Sequence, residues 1–427
     1  MLISVFTPSH IITRLPDLYK SLVAQTHTNW ERIILLNNLW EEDVKKVLTT
    51  FNDDQRVMVY VDEYDGPNKW YVGRLKKDAC DRCFGERLVE VDHDDLLEPT
   101  ALEEVANVPL EYDMCYSNTV NINWPAITPV TWWAYFWRTN RPFKFMDKDV
   151  MEAVSASPFP QAISRIWFAP NHLRARRRDF YTAIWGHDIN MKISDDHDLI
   201  QRTYLKWKIY HIDKPLYIYR IRWDNTRQQN AAEIQTTMWA CHDKYFLPMM
   251  QKRCSQEQLK VVDLGGALNC PPGFLSVDRH HADVICDLNK RRKKLTSDSV
   301  WYIRAHHIFE HLIDPINTMN EAYRVLAHGW IIDIEIPSDS PLLIDGKLFP
   351  AIGNKSDPTH VSSRNSRSFR YYTEPGMRKY IEPECTAKFT IIKPAQEFLK
   401  FDSVPVVTIT LMAEKWGHRF YGANNWR

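Results

Sequence analysis

The stretch Val89–Pro99, VEVDHDDLLEP, sets three aspartates, Asp92, Asp94 and Asp95, directly behind an apolar alternating run. Crowded carboxylates raise one another's pKa values, so such a cluster calls for a cation or a chemical use. Hard divalent cations take oxygen ligands, and Mg²⁺ commonly combines one or two protein carboxylates with phosphate oxygens of a substrate. An Asp-x-Asp beyond a strand suits that purpose, because Asp92 and Asp94 project to one side of an extended segment with Asp95 behind them. The competing reading is an acidic turn or helix cap, since Asp95 precedes LLEPTALEEV. A second acidic group, Asp195, Asp196 and Asp198 in MKISDDHDLIQRTYL, stands just ahead of an amphipathic run. A carboxylate brought opposite the first group could take the proton of an attacking hydroxyl. Read alone, these residues are equally well the acids of a helix's first turn.

The elements that must position these groups follow from periodicity. Ile3–Phe6, Arg32–Leu36, Arg56–Val61 and Glu86–Val91 read as strands. Leu15–Ala24, WEEDVKKVL and Tyr71–Phe84 read as the helices between them. This βαβαβαβ succession implies a mostly parallel, doubly wound α/β sheet, whose ligands bind beyond the carboxyl ends of the strands. After Asn118 comes an aromatic stretch, NINWPAITPVTWWAYFWR, read either as core and lid packing or as a platform for a sugar ring. The run Arg174, Arg176, Arg177 and Arg178 reads as a solvated face rather than a phosphate clamp. A polar helical segment then leads to a fresh strand and glycine turn, LKVVDLGG, so residues 1–230 and 258–427 are expected to be two α/β domains joined by a helical connector, 231–257. Strand candidates in the second are Phe274–Val277, Ser299–Ile303, Trp330–Ile336, Phe389–Lys393 and Val404–Met412, with a helix over Ile316–Leu326.

With 54 basic against 54 acidic residues in a 427-residue chain, no global field draws the protein to nucleic acid or an anionic membrane. The amino-terminal residues carry no basic leader, no run is long and apolar enough to span a bilayer, and eight cysteines form no regular framework. The expectation is a cytoplasmic protein with free thiols and no integral membrane segment.

Three blocks in order, ISVFTPSHIITRLPDLYKSLVAQTHTNWERIILLNN, VGRLKKDACDRCFGERLVEVDHDDLLEPTAL and SDDHDLIQR, resemble the family 2 nucleotide-sugar glycosyltransferases of the GT-A fold, over about residues 2–225. The resemblance implies that Thr7, Pro8 and Asn37 meet the nucleobase and that Lys76 is the basic residue of the third helix. It further implies that Asp92 and Asp94 hold the donor, Asp94 through Mn²⁺ or Mg²⁺ on its diphosphate. Asp195 and Asp196 would supply the catalytic base, with Asp196 favoured. Asn37 stands where the family usually has Asp. Arg222, in the segment that resembles the family's lid, is a candidate phosphate contact.

The later blocks VVDLGGALNCPPGFLSVD, ADVICDLN, SVWYIRAHHIFEHL and NEAYRVLAHGWIIDIEIPS resemble the class I S-adenosylmethionine-dependent methyltransferases, with a Rossmann-like fold over roughly residues 258–412. That resemblance places Asp263, Gly265 and Gly266 beside the methionine part, Asp278 at the ribose, Asp287 and Leu288 at the adenine, and Ala305 and His306 facing the methyl group. The chain is then expected to glycosylate and O-methylate one glycan or glycoprotein acceptor. The alternative is a glycosyltransferase whose second domain is a non-catalytic acceptor-binding or scaffold module. Asp357, His360 and Tyr371, in a loop similar to one in glycan-modifying methyltransferases, are candidates for an acceptor pocket. His307-Ile308-Phe309-Glu310-His311 spells an inverted zinc-protease motif, but zinc there needs both histidines on one helical face and a distant third ligand. Cys80 and Cys83 read as packing residues of the third helix.

Overall fold

The computed structural model describes residues 1–130, 140–164, 166, 168–206, 208–222, 230–257, 260–290, 294–351, 357–400 and 404–415. The chain divides into two compact units, Met1–Met249 and Met250–Arg427. The division falls inside the helix Ala231–Glu257, expected as a connector. Its Cys241, Tyr245 and Met249 join a core cluster of the first unit with Met114, Ile163 and Ile200.

In the first unit, strands β1 (Ile3–Ser9), β2 (Trp30–Leu36), β3 (Val57–Val61) and β4 (Arg87–Glu90) form the parallel part of the sheet, in the order β3-β2-β1-β4. The intervening helices are α1 (Leu15–Val23), α2 (Glu41–Phe51) and α3 (Val72–Asp81). Alternation along β1 and β2 decides what each face covers. Ile3 and Val5 pack with Leu18, Leu22 and Trp30, whereas Phe6, Ile33 and Leu35 meet Leu75, Ala79 and Cys80 of α3. Ile34 and Leu36 pack with Val47 and Phe51 of α2. Both faces are therefore covered, as a parallel sheet requires.

Beyond β4 the sheet becomes mixed. Strands β5 (Leu96–Leu97), β6 (Met114–Asn123), β7 (Thr128–Pro129), β8 (Asn140–Phe145), β9 (Lys148–Ala153), β10 (Arg174–Arg177) and β11 (Ile209–Ile221) extend it, in the order β4-β10-β6-β11-β5. β10 runs antiparallel to both β4 and β6, with Arg174 opposite Glu90 and Tyr116. The first part of the arginine run is thus a central strand and not a solvated face, whereas Arg178 begins the next helix and is exposed. Arg174 and Arg176 are fully buried, because acids from other elements meet them: Asp196 lies 2.5 Å from Arg174 and Glu90 3.5 Å from Arg176. Most of the aromatic stretch, residues 131–139, lies outside the described residues.

The second unit carries β12 (Lys260–Leu264), β13 (Leu275–Asp278), β14 (Val284–Ile285), β15 (Val300–His306), β16 (Leu326–Pro337), the hairpin β17 (Leu342–Ile344) and β18 (Lys347–Phe349), β19 (Phe389–Lys400) and β20 (Val404–Ala413). Its main sheet has the order β14-β13-β12-β15-β16-β20-β19. The first five strands are parallel, and β20 is antiparallel to both its neighbours. The helix Pro315–Val325 links β15 to β16, capped by Asp314, which accepts from the Asn317 N–H at 2.9 Å. Between β12 and β13 there is only the 3₁₀ turn Ala267–Asn269. Strand order reverses between β12 and β15, the point at which open α/β sheets bind ligands. Among the described residues no helix is long and apolar enough to cross a membrane.

Candidate active site

Three parallel strands of the first unit end at one cavity of about 590 Å³. Pro8, His10 and Arg14 reach it from the end of β1 and the turn beyond, Asn37 and Asn38 from the end of β2, and Asp92, His93 and Asp94 from the end of β4. Lys76 of α3, Arg174 at the start of β10, and Asp195 and Asp196 at the start of the helix Asp195–Lys206 line it as well. The two acidic groups, about a hundred residues apart in sequence, therefore share one cavity, and seven of the eight residues expected at the nucleobase, metal, catalytic-base and Lys76 positions line it.

The exception is Thr7. It is fully buried, and its hydroxyl donates to the Val91 carbonyl at 2.9 Å, fixing the chain just before Asp92. Its place inside β1 turns it away from the cavity, so its role is to hold the strand ends in register. Arg222 follows β11 and is not among the cavity-lining residues.

Asp95 anchors the acidic turn. Its carboxylate accepts from the Tyr217 hydroxyl and the Arg220 N–H, both at 2.8 Å, and the Tyr217 hydroxyl accepts from the Asp92 N–H at 3.2 Å. Arg220 also donates to the Asp94 carbonyl and to Asp17, the latter at 2.9 Å. The turn is thereby tied to β11, leaving Asp92 and Asp94 toward the cavity. Asp94 is paired with Arg14 at 3.0 Å.

The two carboxylates that begin the helix Asp195–Lys206 have different surroundings. Asp195 is buried, 2.7 Å from His187 Nδ1 and 3.6 Å from Lys76 Nζ. Asp196 keeps 15% of its side chain exposed and pairs with Arg174. Burial works against its charge, but Arg174 and Lys76 overcome that penalty and hold its pKa well below the usual carboxylate range. Burial likewise disfavours the Lys76 ammonium, and the carboxylates of Asp195 and Glu90 outweigh it, raising its pKa well above normal. Glu90 sits 2.6 Å from Lys76. Asp92 goes the other way: burial, with Glu90, Asp94 and Asp196 nearby, pushes its pKa up to about 7 despite Lys76.

Sequence reasoning missed His10, Arg14, His93, His172 and Arg174, which line the same cavity. His10 and His93 stack edge to face with ring centroids 5.4 Å apart, and burial pushes His93 down to about 4. Arg174 carried no signal in its local sequence, since only Asp196, brought from a later helix, makes it an interior residue.

In the second unit the residues of the expected cofactor site end adjacent strands: Gly265 and Gly266 after β12, Asp278 on β13, Asp287 and Leu288 after β14, and Ala305 and His306 on β15. Gly265 needs its glycine, because its φ is +77° and a Cβ would lie 2.5 Å from Ile308. Asp278 is half-buried at the strand end, and Asp287 accepts from the Asn289 N–H at 3.1 Å. His306 lies 3.1 Å from Asp333. Asp263 differs from expectation: it is fully buried and paired with Arg304 at 2.8 Å, so its carboxylate offers no surface to a ligand. A cavity of about 200 Å³ lies over this sheet, and of the expected residues only Leu288 lines it.

No family model matches the chain, and no curated protein matches it. Among solved structures it is similar to S. aureus TarS 1-349 in complex with UDP-GlcNAc, at 13% identity and a TM-score of 0.43, over 85% of this chain and 100% of that one. TarS 1-349 alone gives 12% identity and 0.42 over the same shares, and the longer S. aureus TarS gives 15% and 0.41 over 60% of this chain. The chain spans 44% of the length of that longer protein. Likenesses with TM-scores this low establish neither fold nor function.

Proposed function

We propose that the first unit is a metal-dependent, inverting glycosyltransferase that takes a nucleotide-sugar donor. The observation that carries this reading is the single cavity at the strand ends, lined both by Asp92 and Asp94 and by Asp195 and Asp196. The donor set suits a hard cation: two carboxylates face the cavity, Asp94 paired with Arg14 and Asp92 with its pKa pushed up to about 7 by burial and neighbouring carboxylates, so that a cation would favour its charged form. Asp94 and Asp92 would hold Mn²⁺ or Mg²⁺, which when bound neutralises charge on a departing diphosphate.

Asp196 is ionised and solvent-accessible, and it is the group that takes the proton of the acceptor hydroxyl. Its ion pair with Arg174 fixes the carboxylate, at the cost of basicity. Asp195, enclosed by His187 and Lys76, positions the start of the helix. Pro8 and Asn37 bound the part of the cavity suited to a nucleobase. The test is product analysis by mass spectrometry with a panel of nucleotide sugars and Mn²⁺. Release of free sugar by the wild type and its loss in Asp94→Ala support the reading. Equal rates in both remove the metal assignment.

The second unit is proposed to be an S-adenosylmethionine-dependent O-methyltransferase acting on the same glycan. Support comes from the parallel sheet that reverses at β12 and β15, the tight Gly265 turn and Asp278 at the neighbouring strand end, a position suited to ribose hydroxyls. The buried Asp263–Arg304 pair and the missing helix after β12 favour instead an acceptor-binding module. Calorimetric titration with S-adenosylmethionine separates the two, since heat of binding lost in Asp278→Ala supports the enzyme and no heat at millimolar ligand supports the module.

A further inference from the structure

Among the described residues one group of three metal-ligating side chains has its ligand atoms all within 4.8 Å of one another: Glu310, His311 and His360. It is in the second unit and shares no residue with the acidic cavity of the first. Glu310 and His311 belong to the 3₁₀ turn Phe309–His311, which follows the carboxyl end of β15. His360 comes from a loop about fifty residues later. The helix that an inverted zinc-protease motif needs does not form, and His307 turns instead to Glu335 at 2.8 Å. His360 takes the place that the motif would have given to His307.

The details of the group are those of a built site. Glu310 is 2% exposed, and among the described residues its Oε2 meets no hydrogen-bond partner, while Oε1 lies 3.5 Å from His307 Nδ1. An unpaired buried carboxylate oxygen is costly unless something meets it. His360 is also largely buried, with no partner for Nδ1 among the described residues and Nε2 3.8 Å from Asp357. His311 Nδ1 contacts the Thr359 carbonyl at 3.3 Å and its hydroxyl at 3.0 Å. That contact fixes the tautomer that leaves His311 Nε2 with its lone pair, and the Asp357 carboxylate stands near His360 on its Nε2 side. The Val361 and Ser362 N–H groups donate to the Glu310 carbonyl at 2.9 and 3.2 Å, pinning loop to turn.

We propose that Glu310, His311 and His360 bind one divalent transition-metal ion, of the zinc, cobalt or manganese kind, at the carboxyl edge of the second sheet. Two imidazoles and a carboxylate are a donor set of borderline softness, and three protein ligands leave coordination open, as in catalytic rather than structural sites. Ligand distances of about 2.1 Å imply donor separations of about 3.4 Å, within reach of side-chain rotation from the present spacing. The open position suits an oxygen ligand such as a hydroxyl of a bound acceptor. That role rests on the methyltransferase reading, whereas metal binding does not.

The test uses the full chain, stripped with chelator and titrated with Co²⁺ and Zn²⁺, read by visible absorption and metal analysis. Asp94→Asn removes one ligand of the first unit's acidic group, and imidazole-type visible bands set the second unit's site apart from any all-oxygen coordination left there. In that background one equivalent of Co²⁺ is expected to bind with imidazole-type visible bands. His311→Ala and His360→Ala are expected to weaken binding at least tenfold. His360→Cys is expected to keep it and add a thiolate charge-transfer band in the near ultraviolet, which loss of folding cannot produce. Absence of Co²⁺ binding in the Asp94→Asn protein, or unchanged affinity in folded His360→Ala together with no new band in His360→Cys, overturns the proposal.

Discussion

Replacing Arg174 by Leu probes the charge arrangement on which the proposed base depends. The Arg174 guanidinium is fully buried and donates to Asp196 Oδ2 at 2.5 Å, to the Pro170 carbonyl at 2.9 Å and to the Phe168 carbonyl at 3.1 Å. Removing one partner of a buried ion pair costs about 3–5 kcal/mol, and two carbonyls lose their donor at the same time, so the upper end of that range applies. The ionisation of Asp196 changes too. With its folded pKa held below the usual value, the wild-type pair contributes stability that is present above about pH 4 and is lost as pH falls toward the folded pKa. In Arg174→Leu only Lys76 is left to offset burial, and the Asp196 pKa rises. The acid limb of kcat/KM, set in the wild type by Asp92, then gains a second ionisation from Asp196 above about pH 4 in the variant. Urea unfolding at pH 7 measures the first effect, and donor turnover across pH 5–8 the second. Arg174→Lys keeps the charge but not the fork and should fall between. Unfolding free energies within about 1 kcal/mol of each other, with superimposable pH profiles, would refute the reasoning.

Tyr217→Phe removes the hydroxyl that donates to buried Asp95 and accepts from the Asp92 N–H, so a loss of about 1–3 kcal/mol and weaker Mn²⁺-dependent donor binding are expected from calorimetry. Asp54 accepts from Arg56 at 2.8 and 2.9 Å and from the Tyr19 hydroxyl at 2.8 Å. The Arg56 guanidinium holds its pKa below the usual range, so its contribution is present above about pH 4 and lost below, and Asp54→Asn should flatten that part of the acid-unfolding curve. Gly265→Ala meets both a φ of +77° and the Ile308 side chain, and a destabilisation of at least about 1 kcal/mol is expected in thermal unfolding of the second unit.

The parallel core of the first unit was legible because β1 to β4 alternate or run apolar between helices of 3.6 periodicity, and the acids beyond β4 follow from that placement. β10 was not, because RARR has the composition of a surface. Only the return of Asp196 and Glu90 from elsewhere in the chain makes those arginines interior residues. Thr7 was misplaced for a related reason: a residue type that suits base recognition equally suits tying two strands together, and only the register shows which way it points. The HxxEH run spelled two of the three clustered ligands of the second unit. The third, His360, is brought there by a loop, a contact that local pattern does not encode.

The central claim is that the acidic turn after β4 holds a divalent ion against a diphosphate. Calorimetric titration of nucleoside diphosphates with and without Mn²⁺, on the wild type and on Asp94→Ala, tests it most directly. Binding of at least one nucleoside diphosphate that is tenfold or more tighter with Mn²⁺, with the enhancement abolished in Asp94→Ala, is the result expected. Binding indifferent to Mn²⁺ in both proteins, or no binding of any nucleoside diphosphate, would contradict it.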